Sequence, residues 1–331
     1  MAGMNTTDSY LREQLIDRRE RLVSAIAVSP SPAHFTQLLA EVDFALERMD
    51  AGSYGICEAC HETIEKGRLI ADPLMRYCLD HLTREQRNAL EQDLDLASRM
   101  QREMLPKQRA NFGGWESFYH YKALGPVSGD YCDLMVCDGE RQTLFFALGD
   151  ASGKGVAASM LMAHLHAIFR TLIASRLPVH ELVARASRIF AESALAPYFA
   201  TLVCGKAHPS GEVEICNAGH CPPLLLQNGQ AVQLEANGIP LGLFADGQYS
   251  SQTVKLNPGD SLFFYTDGLS EARNDLDEEY GESRLGNTVS QLNGLEPRSL
   301  VGACLEDLDR FLARTPLADD LTVMVIRRAA P

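Results

Sequence analysis

Nothing in the sequence limits the fold of its first third as tightly as two short ligand pairs, Cys57-Glu-Ala-Cys60 and, after seventeen residues, Cys78-Leu-Asp-His81. Two residues between ligands let a tight turn aim both side chains at one ion. Each pair therefore forms a knuckle, and together they offer three thiolates and one imidazole to a Zn²⁺ ion. Four protein ligands close the tetrahedron and leave no position for a catalytic water, so one structural zinc is expected. His61 breaks the spacing and is not expected to be a ligand. The chain has nine cysteines, an odd number, and its first ten residues are polar with no signal-like apolar run. That combination favours reduced thiols and metal ligands over disulfides. The other six, Cys132, Cys137, Cys204, Cys216, Cys221 and Cys304, sit in apolar or strand-like segments and read as small buried hydrophobes.

Helical periodicity fills the region around this cluster. Residues 11–27 read as a helix with loose apolar spacing, broken at Ser29-Pro30-Ser31-Pro32, where Ser31 suits an N-cap and Pro32 the first helical position. Phe35, Leu38, Leu39, Val42, Leu46 and Met49 then recur at three- and four-residue spacing up to about Asp50, and Gly52 suits a helix stop. The two form a short helical hairpin leading into the cysteines. Residues 83–105 read as a further helix ended by Pro106, with Leu90, Leu94, Ala97 and Met104 in one seam, Gln101 in the remaining seam position, and Leu96 and Met100 widening the stripe. Such a helix does not bury its stripe alone in water. It packs on a domain or on a copy of itself, and a homodimer is expected.

After Asn111 the texture changes to strand-like runs at 143–148, 199–205, 212–216, 224–227, 261–266 and 321–326. Long helical stretches at 156–175 and 181–194, and later ones near 283–292 and 298–313, are interleaved. Strands arriving in runs favour an α+β sheet sandwich over a doubly wound parallel sheet. The expected division is a helical hairpin with zinc finger over 1–82, a linker helix over 83–110 and a catalytic domain over 111–331. No stretch of about 18 or more apolar residues indicates a membrane span, and a cytoplasmic protein is expected. A net charge of −14 excludes generic binding of the nucleic-acid backbone.

The chemistry lies in the carboxylates. Leu144-Phe-Phe-Ala-Leu-Gly-Asp150 is an apolar strand ending in aspartate, and Ser261-Leu-Phe-Phe-Tyr-Thr-Asp267 repeats the design. Asp130 follows Ser128-Gly129, and Asp319-Asp320 opens the final strand. Rigid strand ends hold carboxylates in place, while glycine and alanine beside them leave room for ions. Several aspartates without paired His or Cys suit hard cations such as Mg²⁺ or Mn²⁺. Two such ions roughly 3.5–4 Å apart bind a bridging water and polarise a phosphoryl group.

Two resemblances follow from these residues. The segment ALERMDAGSYGICEACHETIEKGRLIADPLMRYCLDHLT resembles the DksA/TraR-type zinc-finger family, over residues 11–82. In that family a hairpin enters the secondary channel of RNA polymerase with acidic residues at its tip. Here the tip, Val28-Ser29-Pro30-Ser31-Pro32-Ala33-His34, has no acid and the hairpin is short. The resemblance therefore implies a module for dimerisation, sensing or partner binding, with RNA polymerase as the alternative partner.

The motifs VSGDYCDL, FALGDASGKGVAASMLM, FATLVCG, CNAGHCPPLLL, GIPLGLF, GDSLFFYTDGLSEARN and ADDLTVMVI occur in the order seen in PPM-family phosphatases of the SpoIIE/RsbU type. That resemblance spans residues 90–326, including the linker LEQDLDLASRMQREMLP. It implies a β-sandwich flanked by helices and a two-metal serine/threonine phosphoprotein phosphatase. By it, Asp150 bridges two Mn²⁺ or Mg²⁺ ions, the Ala151 carbonyl helps bind one, Asp267 and Asp319 complete one shell and Asp130 contributes to the other. Asp133 reads either as a further ligand or as a salt-bridge residue. Lys154 stands where many relatives carry His, and Ala151 where many carry Val; Lys154 steadies a phosphate or caps a helix start. His220 reads as a turn residue. The family often acts on STAS-type anti-anti-sigma proteins in partner-switching circuits, which is the substrate class implied. Two other readings stay open: a non-enzymatic regulator acting through the zinc module, and a hydrolase of small phosphoesters.

Overall fold

In the computed structural model, which describes residues 6–28, 33–81, 84–137, 143–193, 198–244 and 247–329, two units form, residues 1–92 and 93–331. In the first, helices α1 (Thr6–Val28) and α2 (Ala33–Asp50) run antiparallel, as the Arg12–Asp50 and Arg19–Asp43 ion pairs at 2.7 and 2.6 Å require. Leu15, Leu22, Val42 and Ala45 are buried between them. The cap expected at Ser31 and Pro32 lies outside the described residues. A second small core holds Leu11, Ile64 and Leu69 around Cys57 and Cys78, with Leu69 on the short helix α3 (Lys66–Ala71). Helix α4 (Arg84–Met104) carries the linker stripe.

Among its described residues the second unit has eleven strands in two antiparallel sheets. One runs β1 (Arg109–Phe112), β2 (Trp115–Lys122), β11 (Leu321–Arg328), β10 (Ser261–Tyr265), β7 (Leu224–Gln227), β8 (Gln230–Gln233) in spatial order. The other runs β3 (Asp130–Cys137), β4 (Thr143–Ala151), β5 (Ala200–Ala207), β6 (Glu212–Ala218), β9 (Gln252–Lys255). Both faces of the central strands are covered, which is why they read as unbroken apolar runs. In β4, Leu144, Phe146 and Leu148 face the core between the sheets, while Phe145 and Ala147 face a second core. That second core is closed by α5 (Gly155–Leu172) and α6 (Val179–Ser193). In β10 and β11, Leu262, Phe264, Met324 and Ile326 face inward. Phe263, Tyr265, Val323 and Val325 pack against α7 (Asp267–Ser270), α8 (Glu282–Gln291) and α9 (Pro297–Leu312).

The result is the expected helix–sheet–sheet–helix sandwich. The strands β1, β2 and β3, before and at the first aspartate, are not among the runs read from sequence. β2 mixes aromatic and polar residues because it presents Trp115 and Tyr119 to the inter-sheet core and Phe118 to the other side. Gly155–Ser175 is long and apolar enough to match a membrane span by length and composition, unlike the expectation for this chain. In the structure Ala158, Met162, Leu165, Ile168 and Phe169 of this helix are buried.

Candidate functional site

The four candidate zinc ligands come together as the spacing predicts. Cys57, Cys60, Cys78 and His81 place their donor atoms within 4.8 Å of one another. Cys60 Sγ and Cys78 Sγ lie 3.7 Å apart. A tetrahedron with Zn–S bonds of about 2.3 Å has edges of about 3.8 Å, so the sulfurs already stand at the separation zinc requires. Cys78 Sγ lies 3.2 Å from His81 Nδ1, which identifies the ring nitrogen facing the site. Burial works against ionisation of Cys57. The backbone amides of Cys78, Cys60 and Ala59 outweigh it and pull the thiol down to about 6. Burial pushes the Cys78 thiol up instead. His61 is not part of the group: its N–H donates to the Cys57 carbonyl at 2.9 Å and its backbone is left-handed at φ 61°, closing the first knuckle.

The aspartates gather at one end of the sandwich. Asp130 opens β3 and is the register partner of Asp150 near the end of β4. Asp267 starts α7 two residues after β10 ends, and Asp319 stands two residues before β11. Two threonines tie the sheets together here. Asp130 Oδ2 accepts from Thr266 Oγ1 at 3.1 Å and from the Thr322 hydroxyl. Neither threonine was singled out in the sequence; their signal is only their place beside Asp267 and Asp320.

Gly129 shapes the space in front. A Cβ at that position would lie 3.1 Å from the Ala151 carbonyl oxygen and from Ala158 Cβ and 3.3 Å from Asp150 Oδ1, so a side chain there would press on both oxygens. Gly268 is obligatory for a harder reason: a Cβ would fall 1.8 Å from the Asp320 carbonyl oxygen. Asp320 itself is fully engaged with backbone. Its Oδ1 accepts from Leu124 N at 2.7 Å and its Oδ2 from Gly129 N at 2.9 Å.

The electrostatics report crowded negative charge. Burial, then the charges of Asp267, Asp319 and Asp320, push the Asp150 carboxyl up to about 7, with Lys154 opposing. Burial and then Asp319 raise Asp267. Burial, followed by Asp150, raises Asp130 well above the carboxylate range. Lys154 answers part of this charge: its Nζ donates to Asp319 Oδ2 at 2.8 Å and to the Ala318 carbonyl at 3.2 Å. It occupies the N-cap position of α5, as the helix-start reading has it, without a side-chain cap bond. Oxygen donors short of positive charge fit hard divalent cations.

The remaining residues have structural roles. Asp133 receives Arg170 Nε and Nη2 at 2.9 and 2.6 Å and is fully buried, which makes it a salt-bridge residue. His220 is buried in the turn that begins at Asn217. Its N–H donates to Asn217 Oδ1 at 2.8 Å, its Nδ1 meets Thr201 Oγ1 at 2.8 Å, and burial lowers its pKa to about 4. Cys132, Cys204, Cys216 and Cys304 are buried, as read from sequence, while Cys137 and Cys221 are partly exposed.

Comparison with known proteins agrees with this arrangement. Residues 140–329 match the family described as stage II sporulation protein E (SpoIIE), and residues 52–80 match the prokaryotic dksA/traR C4-type zinc finger. The fourth member of the group here, His81, departs from that C4 pattern and lies just past the matched segment. Phosphoserine phosphatase RsbP of Bacillus subtilis (strain 168) is 27% identical over 186 residues, covering 54% of this chain and 45% of RsbP. The chain spans 41–60% of the length of the longer-matching curated relatives. The RsbU and RsbW domains of Rv1364c from Mycobacterium tuberculosis superpose with a TM-score of 0.55 at 29% identity, covering 66% of this chain and 61% of that one. The SiaA-PP2C domain of Pseudomonas aeruginosa shares the fold, with a TM-score of 0.62 at 19% identity, over 73% of this chain and 98% of that one. The matched segment takes in more than half of the chain and Asp150, Asp267 and Asp319 of the four candidate site aspartates; the chain belongs to the SpoIIE family, with a dksA/traR-type zinc finger ahead of the family domain.

Proposed function

We propose that this chain is a metal-dependent serine/threonine phosphoprotein phosphatase acting on a STAS-type anti-anti-sigma protein, and that its zinc module serves structure or partner binding rather than catalysis. The observation that carries the reading is the crowding of Asp130, Asp150, Asp267 and Asp319 at one sandwich end, with Asp150 held up at about 7 by burial first and then by its neighbours' charge. Asp150 and the Ala151 carbonyl, both close to Gly129, would hold Mn²⁺ or Mg²⁺ together with Asp267 and Asp319. Such cations supply charge neutralisation of a phosphoryl group and acidification of an attacking water.

The chain's own residues do the positioning. Thr266 and Thr322 fix one oxygen of Asp130 and leave the other directed by the strand. Asp320 is excluded as a ligand in this reading because both oxygens hold the backbone of Leu124 and Gly129, which leaves the role to Asp319. Lys154, with its side chain two-thirds exposed at 66%, offers a mobile ammonium to phosphate once Asp319 is neutralised. The phosphoserine class of substrate is supported by RsbP, and a partner-switching setting by the RsbU and RsbW domains of Rv1364c. A cytoplasmic location and a homodimer through α4 complete the proposal.

The test is turnover of an aryl phosphate and of a phosphoserine STAS protein. Phosphate release that needs added Mn²⁺ or Mg²⁺ and stops in EDTA is expected. Equal release in EDTA would overturn the mechanism, and aryl phosphate turnover without any on phosphoprotein would favour the small-phosphoester reading.

A further inference from the structure

In the α4 stripe Gln101 is polar where its neighbours in the seam are apolar, and it is buried at 7% exposure. Its side-chain amide pairs at two points with the backbone of one residue. Nε2 donates to the Ser128 carbonyl at 2.7 Å, and Oε1 accepts from Ser128 N at 3.0 Å. Ser128 is fully buried, so water does not reach those groups.

The residues that follow are held in the same way, each by a different group. Gly129 N donates to Asp320 Oδ2 at 2.9 Å, Asp130 N donates to Ser128 Oγ at 3.0 Å, and Ala151 N donates to the Gly129 carbonyl at 3.2 Å. The three peptide N–H groups at 128–130 thus depend on Gln101, Asp320 and Ser128 in turn. This segment includes Gly129, which lies directly against Asp150 Oδ1 and the Ala151 carbonyl, and ends in Asp130.

We propose that Gln101 is a positioning residue for the metal centre: by pairing with Ser128 it sets the 128–130 segment, and so the spacing between Asp130, Asp150 and the Ala151 carbonyl. The proposal rests on the phosphatase reading for its metal arm, but not for its structural arm. Removing Gln101 leaves a buried N–H and a buried C=O without partners, and the segment must shift to find new ones. Outer residues that orient ligands typically change metal affinity by about 10–100-fold.

The experiment uses the full zinc-loaded chain freed of Mn²⁺ and Mg²⁺, with Gln101→Leu and Gln101→Glu, the latter keeping the acceptor for Ser128 N but losing the donor. Hydrogen exchange by mass spectrometry should show faster exchange in a peptide covering 126–131 in Gln101→Leu, with a peptide covering 144–149 unchanged. Calorimetric titration with Mn²⁺ should show affinity weakened about tenfold or more in Gln101→Leu, with a smaller loss in Gln101→Glu, and turnover that recovers toward the parent rate at saturating Mn²⁺. Unchanged exchange at 126–131 together with Mn²⁺ affinity within twofold of the parent overturns the proposal. If Gln101→Leu does not fold, Gln101→Glu decides by the same two readouts, and parental values there overturn it. Parent protein that binds no Mn²⁺ is a failure of the phosphatase reading; the exchange result still judges Gln101.

Discussion

The two candidate metal sites are built in opposite ways. The zinc knuckles draw four donors from a stretch of twenty-five residues, and two tight turns joined on one small core bring them within 4.8 Å of one another. Thiols are neutral until a metal or a backbone amide favours the thiolate, so nothing resists their approach, and the amides around Cys57 already pull it to about 6. The aspartates come from strand ends up to nearly two hundred residues apart, as the contact of Asp130 with Thr322 shows. Their charges repel, and each is restrained by something else: threonine hydroxyls on Asp130, Lys154 on Asp319. Local turns can shape a soft-metal site; a hard-cation site needs the finished sandwich to overcome its own repulsion. Loss of zinc should therefore cost fold, and loss of Mn²⁺ or Mg²⁺ should cost activity and relieve no fold.

The largest effect expected is on turnover. Asp150→Asn and Asp267→Asn should each lower phosphatase activity by more than the roughly 10–100-fold typical of outer-shell changes, with circular dichroism unchanged. Activity within tenfold of the parent in either variant would break the contrast. Next, Cys57→Ser should abolish bound zinc and the melting transition of residues 1–92, because structural zinc supplies folding energy directly. A fragment starting at Asp93 should fold and turn over aryl phosphate. A fragment starting near Gly114 would lack β1, Leu105 of the inter-sheet core and Gln101, so its start must lie earlier.

A moderate effect concerns pH. Asp150 is an acid whose folded value, about 7, exceeds its ordinary 3.8, so the folded state binds the extra proton. Stability of the metal-free phosphatase unit should then fall as pH rises from about 4 to about 7 and level off above. Calorimetry should show a lower Tm at pH 8 than at pH 5, a larger gain from Mn²⁺ at pH 8, and a flatter profile in Asp150→Asn. An opposite slope would contradict the crowded-carboxylate account.

The smallest effect expected is on assembly. Gln101 faces its own unit, so the part of the α4 seam left for a partner is the N-terminal part, around Leu90 and Leu94, flanked by exposed Leu96 and Met100. Leu94→Glu should reduce the mass seen by light scattering and shift turnover severalfold. Unchanged mass and rate would make α4 a tether.

Much of this was legible in sequence because each signal is local. Paired ligand spacing placed the knuckles, and unbroken apolar runs placed β4, β10 and β11 because both strand faces are buried. The motif order gave the aspartates. What stayed hidden depends on contacts between distant residues. Gln101 read as a gap in an apolar seam, but its partner is 27 positions away. The resemblance pointed to Asp319 rather than Asp320, but the physical ground, the Asp320 oxygens accepting from Leu124 and Gly129 more than 190 positions earlier, has no local signal. Strand β3 was missed because its polar residues, Asp130 and Asp133, are buried by hydroxyl and guanidinium partners that no local pattern announces.

The central claim is that one chain holds two metals for two purposes, and one preparation tests it most directly. The protein is desalted into metal-free buffer, its zinc content is measured by elemental analysis, and phosphate release from a phosphoserine protein is followed before and after Mn²⁺ or Mg²⁺ is added. The account predicts one zinc per chain retained throughout, negligible release after desalting, and release restored by either hard cation. Full activity with zinc alone, or active protein that contains no zinc, would contradict it.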